Sequence, residues 1–208
     1  MVNPKNIAEV ITRQREFFLS GKTKSIDYRI EQLHKLRDLI IENENAIYEA
    51  LNTDFRKSRF ETYLSENGYM IMEINEFIKK LKKWARPERL PSNLLNFPSS
   101  SFLMHEPYGL TLIIAPWNYP FQLALGPLAG AMAAGNCAII KPSELTPATS
   151  SLIKDLVNDN FDESYIHVIE GDAGVTQSLL AEKFDYIFFT GGIQVGKIIA
   201  QAAAKHLT

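Results

Sequence analysis

Three short stretches of this chain hold residue types that do chemistry. In Pro116-Trp117-Asn118-Tyr119-Pro120 two prolines fix the backbone around a neutral amide. A rigidly held Asn N–H donor is what stabilises an oxyanion in acyl or hydride chemistry. The same side chain can also do no more than satisfy the backbone groups of a turn. In Lys141-Pro142-Ser143-Glu144 a cation and an anion stand three residues apart. Such a pair can grip the hydroxyls of a nucleotide ribose, or it can be a solvated ion pair on a loop. In Thr190-Gly191-Gly192-Ile193-Gln194-Val195-Gly196 a glycine turn leads into an apolar segment. Backbone can approach a pyrophosphate there, met by the free N–H groups of a helix start, and a plain structural turn reads equally well. The spacing lacks the G-x-G-x-x-G pattern. Nor is it a Walker A loop, because Lys197 is followed by Ile198 instead of Ser or Thr.

For these stretches to act together, a common framework must position them. Residues 101–105 and 110–115 read as strands, joined through Glu106-Pro107-Tyr108-Gly109 as a hairpin. Residues 121–134 read as a helix closed by Gly135, and 137–141 as a short buried strand. Thr146-Pro147 reads as an N-cap with proline at the first helical position, opening a helix to about Asn160. Strand 166–169, helix 173–182, strand 185–190 and helix 193–206 follow. Short apolar strands alternating with longer helices predict an α/β fold, a Rossmann-like parallel sheet with flanking helices. Ligands of such sheets sit at the carboxyl ends of the strands. The three stretches are the segments that follow strands 110–115, 137–141 and 185–190.

The preceding 86 residues read as an α-helical N-terminal region. Ile7, Val10, Ile11, Phe17 and Phe18 form a stripe at helical spacing, stopped at Gly21. Ser25 caps a second helix, with Asp27 in its first turn and Ile26, Ile30, Leu33, Leu36 and Ile40 on its apolar face. A shorter helix carries Ile47, Ala50 and Leu51. A long one carries Phe60, Leu64, Ile71, Ile74, Ile78 and Leu81, and stops at Arg86 before Pro87. Lys79-Lys80 and Lys82-Lys83 are its solvated face. Residues 87–101, punctuated by Pro87, Pro91 and Pro98, read as a linker. The cofactor-type α/β region then spans 102–208.

Composition narrows the function classes. The chain of 208 residues carries 22 Lys+Arg against 24 Asp+Glu, a formal charge of -2, so no global basic field exists to hold nucleic acid or anionic lipid. Residues 107–140 contain no charge, a length that suits a membrane span. Pro116, Pro120 and Pro127, with the polar Asn118, Gln122 and Asn136, break that run into a buried α/β core and leave no membrane segment. His34, His105, His167 and His206 are scattered, and no metal site is expected. Cys137 stands alone, which excludes an internal disulfide. Its place inside an apolar strand makes it a packing residue and not a nucleophile. With no apolar signal core in Met1-Val2-Asn3-Pro4-Lys5, a reducing, cytoplasmic compartment is expected.

The motifs, in this order, resemble the aldehyde dehydrogenase superfamily. They are Glu106-Pro107-Tyr108-Gly109, Ile113-Ile114-Ala115-Pro116-Trp117-Asn118-Tyr119-Pro120, Gly130 to Gly135 with Asn136, Lys141-Pro142-Ser143-Glu144, and Phe189-Thr190-Gly191-Gly192 with Gly196. The short N-terminal region and the ending Ala204-Lys205-His206-Leu207-Thr208 look most like the class 3, fatty-aldehyde branch. The resemblance implies a two-step oxidation of an aldehyde to a carboxylic acid through a cysteine thioester, with hydride passing to NAD and a glutamate activating water. It assigns Asn118 to the oxyanion and Lys141 and Glu144 to the adenosine ribose. Gly191, Gly192 and Gly196 fall at the pyrophosphate turn, and Pro116 and Trp117 at cofactor-pocket positions. Gly192 stands where the family often has Ser or Asn. A carboxylate at Glu144 favours NAD, with NADP possible if it swings away.

The nucleophilic cysteine and the general-base glutamate of the family have no counterpart here. The resemblance therefore implies an N-terminal portion of a homodimeric parent, a fragment inactive by itself. A non-catalytic nucleotide-binding or interaction module is the alternative.

Overall fold

The computed structural model describes residues 4–208, with side chains from Asn6 onward. Residues 1–3, part of the stretch read for a signal core, lie outside the described residues. Three helices come first: α1 (Pro4–Leu19), α2 (Ile26–Glu42) and α3 (Glu44–Phe55). Ser25 caps α2 as its sequence predicts, its Oγ accepting from the Tyr28 N–H at 3.3 Å. The apolar stripes face inward: Ile7, Val10 and Ile11, then Leu33, Leu36 and Ile40, then Ile47 and Leu51 are buried.

The next segment departs from a uniform helix. Helix α4 (Arg59–Thr62) runs through a π-helical turn, Tyr63–Asn67, into α5 (Gly68–Trp84). A π turn adds a residue to the helix, which rotates the part before it by about 100° relative to the part after it. Phe60 and Leu64, expected on the buried stripe, are therefore exposed, while Glu66 and Asn67 are fully buried. Beyond the turn Ile74 and Leu81 are buried as expected. The helix ends at Trp84, two residues short of Arg86.

Residues 87–101, read as a linker, carry β1 (Glu88–Leu90) and open β2 (Ser101–Leu103). These two strands pair with each other, antiparallel, in an exposed hairpin. The expected hairpin between 101–105 and 110–115 does not form. The reason is that β3 (Leu110–Ile114) has both of its ladder edges taken by parallel partners, leaving none for β2.

Then come α6 (Gln122–Ala134), β4 (Cys137–Lys141), α7 (Pro147–Asn158), β5 (Ile166–Val168), α8 (Ala173–Leu180), β6 (Tyr186–Phe189) and α9 (Ile193–Ala204). The sheet is parallel throughout, in the order β5-β4-β3-β6. Every residue of β3 and β4 is buried, so both faces of the central strands are covered, as continuous apolar strands require. Helices α1 and α6 pack against both strands, and α2 and α5 pack on α6. Helix α6 is apolar on all sides past Gln122, and about half of its residues are buried. It is only 13 residues long, and among the described residues no helix is long and apolar enough to cross a membrane.

The beginnings of the central strands are pinned by side chains. Gly109 adopts φ 133°, and its N–H donates to Asn136 Oδ1 at 2.9 Å. The Leu110 N–H donates to Asp185 Oδ2 at 2.8 Å, and Arg15 holds that carboxylate from α1 at 3.0 Å. Any side chain at 109 would collide with the Asp185 carboxylate, so glycine is required both by conformation and by space.

Candidate functional site

Because these strand starts are fixed, their ends are level. Ile114 of β3 stands opposite Lys141 of β4 and Phe189 of β6. The ladder extends one step further on both sides: Ala115 N–H donates to Lys141 O at 3.1 Å, and Thr190 N–H to Ile114 O at 3.4 Å. The three sequence stretches therefore leave the sheet side by side. From β3 the chain first winds outward to β4 and β5, then returns to β6 on the other side of β3. Such a reversal is where doubly wound sheets take their ligands, and here it falls between the Asn118 loop and the Gly191-Gly192 turn.

In the loop after β3, Pro116 is half-buried, Trp117, Asn118 and Tyr119 are exposed, and Pro120 is buried. Trp117 stacks on Phe55 from the end of α3, with ring centroids 6.4 Å apart and an interplanar angle of 20°. Asn118 thus sits on a loop tied down on either side, with its side chain open to solvent.

At the end of β4, Lys141 is buried and its ammonium pairs with the half-exposed Glu144 carboxylate. Burial works to raise the Glu144 carboxyl, but the Lys141 hydrogen bond and charge outweigh it and hold the group below the usual carboxylate range. Thr146, expected to cap α7, occupies the N-cap position without capping it. Its hydroxyl turns back to Ser143 O at 3.3 Å, and the cap comes from Asp54 on α3. Asp54 Oδ1 accepts from the Ala148 N–H at 3.2 Å. Its Oδ2 accepts from the Thr149 N–H at 2.8 Å and from the Thr149 hydroxyl at 2.7 Å. A carboxylate takes two helix N–H groups where a hydroxyl takes one, and the acid suits the positive end of the dipole. No local spacing reveals a partner this distant in the chain, so sequence reading missed Asp54.

The turn after β6 is built from backbone. A Cβ on Gly191 would strike the Phe189 ring, whereas Gly192 faces open space. Gly192 is the N-cap of α9 and no side chain caps the helix, which leaves its first N–H groups available. Gly196 donates its N–H to Gly192 O at 3.0 Å, and a side chain there would meet Phe189 at ordinary contact distance.

Cys137 opens β4, four residues before Lys141, so it lies roughly 13 Å from the strand ends. Burial pushes its thiol up to about 12, which excludes a thiolate near neutrality. Among the described residues no three His, Cys, Asp or Glu side chains converge as metal ligands.

The donor set on the three loops is coherent. Uncapped helix N–H groups and a side-chain-free turn suit a pyrophosphate, a carboxylate–ammonium pair suits a ribose diol, and an exposed indole suits a flat ring. These residues fit a dinucleotide.

Parallel sheet, reversal of strand order and loops define a Rossmann-like α/β protein. The family model described as the aldehyde dehydrogenase family matches residues 1–208, and the chain belongs to that family. It is 50% identical over 193 residues to 4,4'-diaponeurosporen-aldehyde dehydrogenase of Staphylococcus aureus, an alignment covering 93% of this chain and 42% of the relative. It is 42% identical over 202 residues to human aldehyde dehydrogenase family 3 member B1, covering 97% of this chain and 43% of that one. Among solved structures, a substrate-bound state of Staphylococcus aureus AldH superposes with a TM-score of 0.95 at 48% identity, over 97% of this chain and 44% of that one. Betaine aldehyde dehydrogenase of Staphylococcus aureus, solved with NAD+, superposes with a TM-score of 0.83 at 28% identity, over 96% and 40%. The chain thus spans somewhat less than half the length of these relatives.

Proposed function

We propose that this chain binds NAD and forms the cofactor side, with the oxyanion amide, of an enzyme that oxidises aldehydes to carboxylic acids. The observation that carries the reading is the level row Ile114–Lys141–Phe189, which brings an amide loop, a ribose pair and a pyrophosphate turn to one sheet end. Family membership and a relative solved with NAD+ support it. The bound cofactor supplies the hydride acceptor. The first N–H groups of α9 and the bare Gly191-Gly192 backbone hold the pyrophosphate. Glu144 accepts from ribose hydroxyls and Lys141 holds its carboxylate in place. Pro116 and Trp117 wall the pocket, and the Asn118 amide N–H faces the oxygen on which negative charge develops. A carboxylate at the ribose repels a 2′-phosphate, so NAD binds more tightly than NADP.

The one thiol of these 208 residues is the buried Cys137, so the nucleophile is not among them. The purified chain binds NAD and forms no acid. Calorimetric titration with NAD and NADP, alongside an assay of aldehyde-dependent NADH formation, tests both statements. A monodisperse chain that ignores NAD overturns the cofactor reading. NADH formation that stops in Asn118→Ala overturns the claim about the nucleophile, and if it stops in Cys137→Ala as well, Cys137 is that nucleophile.

A further inference from the structure

Behind the Asn118 loop lies a buried ion pair with no part in the chemistry above. Lys57 lies just past α3, and its side chain is 8% exposed; Glu66, in the π-helical turn, is 0% exposed. Lys57 Nζ donates to Glu66 Oε1 at 2.5 Å and to the backbone carbonyl of Asn118 at 3.2 Å. The same ammonium lies 4.3 Å from the Tyr119 ring centroid and 5.2 Å from that of Phe55, the ring on which Trp117 stacks. The other oxygen, Glu66 Oε2, accepts from the Gln122 N–H at 2.9 Å, at the start of α6, which has no local side-chain cap. Burial raises the Glu66 carboxyl, with the Lys57 hydrogen bond opposing it. Residues 117, 118, 119 and 122 are thus all held, directly or through Phe55, by one pair of charges.

We infer that Lys57 and Glu66 are positioning residues: they clamp the backbone of the 117–122 loop from inside and so fix where the exposed Asn118 carboxamide is presented. Two buried charges are a costly way to fill a core, since apolar replacements of similar volume are often as stable or more so. What apolar groups cannot do is bind a carbonyl and a helix N–H at once. The π turn fits this role, because it is the local irregularity that brings Glu66 inward while Leu64 stays outside. The inference rests on reading Asn118 as the oxyanion amide. Its test tracks the loop itself and needs no substrate or cofactor, so its failure leaves that reading intact.

The chain has two tryptophans, and Trp84→Phe leaves Trp117 as the sole reporter of the loop. In that background, Lys57→Met strands a buried carboxylate. It lowers Tm by about 10 °C and raises acrylamide quenching of Trp117 roughly twofold, as expected when a loop held by charge-assisted hydrogen bonds is released. The double variant Lys57→Met/Glu66→Met removes both charges. Tm recovers most of the loss, while Trp117 stays readily quenched because neither Asn118 O nor Gln122 N–H regains a partner. A core-filling role predicts that quenching recovers with Tm, and that outcome overturns the inference. A measurement on the unaltered chain does not depend on variants folding. The Lys57 ε-methylene protons resonate upfield of the other lysines under the Tyr119 ring current, with cross-relaxation to that ring. Lysine spectra without such a shifted resonance overturn the inference as well.

Discussion

The two sides of the sheet, flanking β3, are made differently. On the β4 side, strand and loop are closed in: all of β4 is buried, Lys141 and Glu144 are paired, and Asp54 reaches across to cap α7. On the β6 side, in a chain that spans less than half the length of its relatives, the strand borders the sheet, its residues are half-buried or exposed, and the turn offers only main chain. Ribose recognition needs directed side chains, which hold their direction only when braced. Phosphate recognition needs backbone N–H groups, which a helix start supplies without any brace. The asymmetry is what the proposed function expects, with the ribose on the braced side and the pyrophosphate on the main-chain turn.

The largest expected effect sets packing on the two sides against each other. Ile139→Ala in fully buried β4 costs about 3 kcal/mol, and Ile187→Ala in half-buried β6 costs about 1 kcal/mol, in denaturant unfolding. Equal losses break the comparison. Asp54→Ala, which strips three hydrogen bonds from the start of α7, costs about 1–2 kcal/mol in the same measurement and weakens NAD at the Glu144 loop. A smaller, opposite effect belongs to the β6 side. Gly192→Ser has room for its side chain and adds a capping hydroxyl to α9, gaining a few tenths of a kcal/mol. A loss of stability there would mean that the turn has less room than its open surroundings offer.

The smallest effect is with pH. Glu144 is held below the ordinary carboxylate range, so its contribution is fully present above the unfolded value near 4.5 and is lost only as pH falls through the lowered one. NAD affinity measured by calorimetry is accordingly flat, as far as Glu144 is concerned, between pH 8 and about 5.5. A decline in that range that disappears in Glu144→Gln contradicts the pairing with Lys141.

Much of this was legible in the residues. The strand at Cys137–Lys141 is bounded as read, because a short apolar run between Gly135 and Pro142 admits little else. The alternation after Leu110 identified the parallel sheet, and with it the strand ends where the three motifs had to lie. What stayed hidden is non-local or breaks a period. The Asp54 cap joins residues 94 and 95 positions apart. The π turn displaced Phe60 and Leu64 from a stripe that looked continuous. The pairing of β2 with β1 depended on knowing that β3 had no free edge. Asn67, a polar residue at a stripe position between Leu64 and Ile71, was the visible hint that the helix changed phase.

The fastening of Gly109 and Leu110 to Asn136 and Asp185 lies at the opposite end of the sheet from the three loops. Strands climb about 3.3 Å per residue, and a one-residue slip would exchange the faces of every side chain. With β3 and β4 only five residues long, the alignment of the three loops is decided at this datum line. The loops are placed from below, as a shelf is levelled by its uprights. A fault at Asp185 would appear as a misfit between loops that never touch it.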